Sequence, residues 1–131
     1  MNSEELSRLE ELSRLLAKEL GGNVPTEVED ELSLGDQKVW GEFMVDPDTT
    51  GAFIVQTLRL AIQLSRTKKT PEELYAILEA KTAPAVAKLV KIKAIAAPAV
   101  TKLVTTFASA FTTEMARELV KRIVELVLGS N

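Results

Sequence analysis

Apolar residues return every three or four positions through most of this chain, a pattern that predicts helices. Leu6, Leu9, Leu12 or Ser13, Leu16 and Leu20 form the first stripe. Ser3 stands where a cap belongs, and Glu4 and Glu5 fill the first turn, at the positive end of the helix dipole. Gly21-Gly22 is a stop signal. The hexapeptide EELSRL occupies both 4–9 and 10–15. This helix is amphipathic, so its leucines need a surface to cover them.

Residues 22–50 break the rhythm. Pro25-Thr26 starts a short helix through about Leu32. Gly35, Gly41, Pro47 and Gly51 then punctuate a poorly periodic stretch, in which Lys38–Val45 reads as a short strand or an extended arm. Asp46–Gly51 is turn material, and Thr49 or Thr50 caps the next helix. The whole segment reads as an arm laid over another surface, because so long an irregular stretch is rare inside a compact domain.

Helical spacing resumes at Ala52–Arg66, which places Phe53, Ile54, Leu58, Ala61, Ile62 and Ser65 near one face. Thr70-Pro71-Glu72-Glu73 combines a cap, a first-turn proline and a Glu three residues after the cap. The helix it starts is expected to end near Lys81, with Leu74, Ile77 and Leu78 inward. Pro84 and Pro98 are expected to open the next two segments. A last helix begins at Thr112 or Thr113, stops before Gly129 and buries Met115, Leu119, Ile123, Leu126 and Val127. Residues 83–90 (APAVAKLV) recur as 97–104 (APAVTKLV), seven of eight positions being identical. The copies are two short helices at a corner, or one helix kinked at Pro98. The pattern thus predicts an all-α chain: an acidic N-terminal helix and extended arm over 1–50, then a compact four- to five-helix bundle over 51–131.

Charge sharpens that division. Residues 1–50 hold 13 acids against 4 bases, a net of −9, and residues 51–131 hold 6 acids against 12 bases, a net of +6. Such asymmetry between halves points to a charged interaction surface. Composition is otherwise ordinary for a globular chain, with 46% apolar and 27% charged residues. Asn and Gln number three each and Cys is absent, which suits a thermophilic source. The chain opens on acidic, helix-forming residues rather than a signal peptide. Its most apolar window, Ala94–Phe111, is broken by Lys102 and several Thr, so no transmembrane span is expected.

Catalytic chemistry is thinly supplied. With no Cys and no His there is no thiolate, no imidazole base to activate the many Ser and Thr, and no imidazole metal ligand. Paired carboxylates occur at Glu4/Glu5, Glu10/Glu11, Glu29/Asp30/Glu31 and Asp46/Asp48, and these read as caps and solvated faces. Asp46-x-Asp48 lacks the later ligands and closing Glu of a calcium loop. The expectation is a non-enzyme without cofactor, metal or small-molecule substrate.

The bases carry more information. Arg59, Arg66, Lys68 and Lys69 gather around one helix end, and Lys81, Lys88, Lys91, Lys93 and Lys102 continue across the repeat. Lys81, Lys88 and Lys91 are spaced by seven and three, so they share a helical face. A lysine row can follow a phosphate backbone without reading bases; the alternative is a solvated surface, or a mate for the acidic half. Arg8, Arg14, Lys18 and Lys38 are the bases of the acidic half, and on the first helix they either meet phosphates or pair locally with Glu. Leu9, Leu16, Trp40 and Phe43 are the expected assembly contacts; Trp40, the only Trp, is an anchor in need of a pocket.

Ile95-Ala96-Ala97-Pro98-Ala99-Val100, then Ser109-Ala110-Phe111, then Leu119, Val120, Ile123, Val124 and Gly129-Ser130 resemble the C-terminal region of the major coat proteins of rod-shaped and filamentous viruses of hyperthermophilic archaea. The likeness covers about 35 residues, through motifs of low specificity. It implies a virion protein whose dimers wrap double-stranded DNA with N-terminal helices against the duplex, in a filament built from itself or a paralogous subunit. The first fifty residues depart from the family in being acidic. On that reading either Arg8, Arg14, Lys18 and Lys38 alone face DNA from this half, or a second, more basic coat protein does most of that work. A small cytoplasmic helical adaptor or chaperone, its acidic arm folded back on its own bundle, is the other class the pattern fits.

Overall fold

The computed structural model describes residues 2–21, 23–33, 47–96 and 111–129, and all the regular structure among them is helical. Five helices run in order through these residues: α1 (Ser3–Gly21), α2 (Thr26–Ser33), α3 (Thr50–Leu64), α4 (Pro71–Ala96) and α5 (Thr113–Val127). The expected strand at 38–45 and the second repeat copy lie outside the described residues.

Local signals set most boundaries. Asn2 caps α1, not Ser3: its side-chain oxygen accepts from the Glu5 N–H (2.8 Å), while Glu5 accepts from the Asn2 N–H (3.3 Å). This reciprocal box needs the acid three residues after the cap, and Glu5 stands three after Asn2. Thr70 and Glu73 form the same box before α4. Thr49 and Thr112 cap α3 and α5 with their hydroxyls.

α3 is the axis of the molecule. α1, α2, α4 and α5 all pack against it, and every residue from Thr50 to Ile62 is buried. The one-face expectation for this helix is too narrow, because four neighbours leave it no solvent side. Leu9 and Leu16, expected to join subunits, are 0% and 1% exposed within the chain's own core. They meet a single cluster that also holds Val28, Phe53, Leu58, Leu78, Leu89 and Ile123. The core therefore runs across the boundary at residue 50, where the charge changes sign. Phe53 and Phe111 meet edge to face at 5.2 Å, a favoured aromatic geometry.

Two close details depart from the sequence pattern. Gly51 is part of α3, not a turn, and a Cβ there would fall 2.5 Å from Glu27 Cγ and 3.1 Å from the Val28 backbone nitrogen. Only glycine lets α2 approach this closely. Pro84 does not open a helix but lies inside α4. Its ring removes the hydrogen bond to the Ala80 carbonyl. Ala80 and Pro84 both face solvent, where water can take up that carbonyl, so the helix continues. Two residues earlier the Thr82 hydroxyl donates to the Leu78 carbonyl at 2.7 Å.

Candidate nucleic-acid interface

The chain has six arginines and ten lysines, and the fold separates their roles. Arg59 is the only charged residue of α3 and is 1% exposed. It cannot meet a phosphate from there: it donates to the Glu31 carbonyl (3.3 Å) and pairs with the Glu31 carboxylate (3.8 Å). Gln56 donates to the same carboxylate at 3.2 Å. A charge on a helix with no solvent face has to be paired inside.

Four further arginines also join helices. Arg8 donates to the carbonyls of Leu126 (3.3 Å) and Val127, bringing a positive charge to the negative end of α5. Arg14 grips Glu29 of α2 through two nitrogens, at 3.0 and 3.2 Å. Arg122 of α5 holds Glu19 of α1 at 3.0 Å, and that bond raises the guanidinium pKa. Arg66, just beyond α3, grips Glu5 at 2.8 and 2.5 Å. Hydrogen bonding to Arg66 lowers the Glu5 carboxyl to about 2. The planar fork of arginine suits such bidentate bonds better than an ammonium does. Arg8, Arg14, Arg59 and Arg66 are thus engaged within the fold. The acids held by Arg14, Arg59, Arg66 and Arg122 are those of α1 and α2, so these two acidic helices lie on the chain's own fold.

The lysines stand elsewhere. Lys81, Lys88 and Lys91 are exposed on α4, along one flank about 15 Å long. From Ala80 to the end of α4 there are four lysines, counting the half-buried Lys93, and no acid. Lys68 is exposed and Lys69 half-buried in the turn before α4, at its other end; Lys18 is exposed on α1. Lys38, Trp40, Phe43 and Lys102 lie outside the described residues. Arg117 and Lys121, absent from the sequence-based set, are exposed on α5. Both belong to its polar side, a position that periodicity could have supplied.

Between α4 and α5 runs a groove of about 330 Å³, bordered by Tyr75, Glu79, Ala83, Val86, Ala116 and Arg117. The Tyr75 hydroxyl donates to Glu79 at 2.9 Å. Burial, then that carboxylate, raises its pKa. Among the described residues no group of three or more acids is placed to hold a metal ion, and no described helix is long and apolar enough to cross a membrane.

No family model, curated protein or solved structure matches the chain.

Proposed function

We propose that this chain is a non-enzymatic structural subunit that assembles with copies of itself or a paralogue and packages double-stranded DNA through its phosphates, as a coat protein does. The exposed lysine flank of α4 carries the reading. Three ammonium groups on one rigid helix present point charges with no bidentate geometry. That chemistry attracts a phosphate backbone and leaves base edges unread. Five of the six arginines, whose fork is better suited to reading guanine, hold parts of the fold together instead. A virion location belongs to the same proposal.

Binding to a random-sequence duplex, monitored by fluorescence anisotropy against salt, tests it. The affinity should fall steeply with salt, and the Lys81→Gln/Lys88→Gln/Lys91→Gln variant should lower the log–log slope by about 3. An unchanged slope, or no binding at low ionic strength, defeats the proposal.

One observation favours the adaptor reading. α1 and α2 dock on the chain's own α3 and α5, which leaves their paired acids less to offer a neighbour. Light scattering at low salt separates the two readings: large assemblies belong to the subunit, a persistent monomer or dimer to the adaptor.

A further inference from the structure

α4 differs from its neighbours in what it turns to solvent. Its acids, Glu72, Glu73 and Glu79, all precede its bases, Lys81, Lys88, Lys91 and Lys93. Along the outermost line of the helix, however, the side chains are not charged. Ala76, Ala80, Ala83 and Ala87 are all exposed, and at about 100° per residue they fall on one line opposite the buried Leu74, Leu78, Ala85 and Leu89. Amphipathic helices normally put polar residues on such a line. Here the outermost line is apolar, flanked by acids along its first half and by bases along its second.

A face of that kind is complementary to itself turned end for end. Laid antiparallel on a second α4, Ala76 comes opposite Ala87 of the other copy and Ala80 opposite Ala83, and both pairs require the same register. That register sets Glu73 against Lys91 of the second copy at each end. The twofold axis relating the helices keeps like flanks together. Glu73 and Lys91 share the flank that also bears Lys81 and Lys88, so they meet rather than pass. Alanine lets two helix axes come close enough for these charges to pair.

We propose that the solvent face of α4 is an isologous docking surface, and that its occupant is α4 of a second copy of this chain. The charge pattern selects the occupant: a helix of uniform charge would meet repulsion at one end, whereas an inverted copy satisfies both. The contact spans about 30 Å along one helix pair, less than a tight complex buries, so the dimer is weak and sensitive to salt. The pairing also sets the Lys81 and Lys88 of both copies on one side.

The chain has no cysteine, so engineered ones report the register directly. On mild oxidation at low salt, a mixture of the Ala76→Cys and Ala87→Cys proteins should yield a covalent dimer. Either variant alone should yield none, because its two sulfurs lie about 16 Å apart along the pair. Ala80→Glu placed in both proteins should abolish the cross-link while circular dichroism shows an unchanged helical signal. Lys91→Glu should do the same and Glu73→Gln should weaken it, since Gln preserves the capping box. No excess of cross-linked dimer in the mixture over the single variants overturns the proposal, as does a cross-link indifferent to Ala80→Glu. The readout needs no DNA, so its failure leaves the phosphate proposal standing.

Discussion

The seam where α1 and α2 lie on α3 and α5 can be set against the outward side of α4. Both are rich in charge, and they use it differently. In the seam each cation is an arginine gripping a carboxylate or a helix end, from the buried Arg59–Glu31 pair to the half-exposed Arg66–Glu5 pair. On α4 the cations are lysines on the solvent side. The difference teaches that part of the acidic half's charge, on Glu5, Glu19 and Glu31, is already held by arginines of the second half inside the subunit. What α4 turns outward is the lysine flank and the self-complementary face beside it.

Substitutions should separate the two regions by the size of their effects. Arg59→Ala leaves the Glu31 carboxylate without its buried partner and should cost about 3–5 kcal/mol in urea unfolding; a loss under about 1 kcal/mol would deny the seam its structural role. Next comes Gly51→Ala. Its new Cβ meets the Val28 backbone at 3.1 Å, and forcing α2 from α3 should cost about 1–3 kcal/mol by the same measurement.

Glu5 gives a smaller effect with a definite pH window. Its carboxyl titrates at about 2 in the fold against an ordinary 4.5. The pair's contribution is therefore complete above about 4.5 and is lost as pH falls toward about 2. Water around Arg66 screens the pair, so its net value is small. Glu5→Gln should remove that part of the acid dependence, and the two proteins should converge in stability as pH falls through about 2. Smallest of all, the triple lysine variant of α4 should unfold within about 0.5 kcal/mol of the parent, although its response to DNA and salt changes. A large loss of stability there would move those lysines into the seam's class.

Much of this architecture is legible from local pattern. The leucine stripe of α1, the Thr caps at 49, 70 and 112, and the apolar face of α5 mark helices by rules that act within a few residues. Leu9 and Leu16 show where that reading ends. Periodicity says that a face is covered, and it does not say whether the cover is another molecule or α3. Pro84 is similar: whether a proline ends a helix depends on whether its orphaned carbonyl reaches water, and tertiary placement decides that. Arg59 does leave a signal, as the lone charge in an apolar helix, a setting in which burial and pairing go together. The bonds of Arg8 to Val127 and of Arg122 to Glu19 leave none, since no spacing rule links residues more than a hundred positions apart. The lysine flank is visible as spacing; its exposure and its place beside an alanine face need the fold.

The clasp of Arg8 and Glu19 on α5 has a consequence for the protein's synthesis. α1 is translated early, but the surface that shields its leucines includes a helix some hundred residues downstream. At ordinary elongation rates α1 waits about 5–20 s before α5 emerges. Through that interval an oily, acidic helix hangs from the ribosome without its lid, and whatever chaperones or neighbouring nascent copies are present have first access to it.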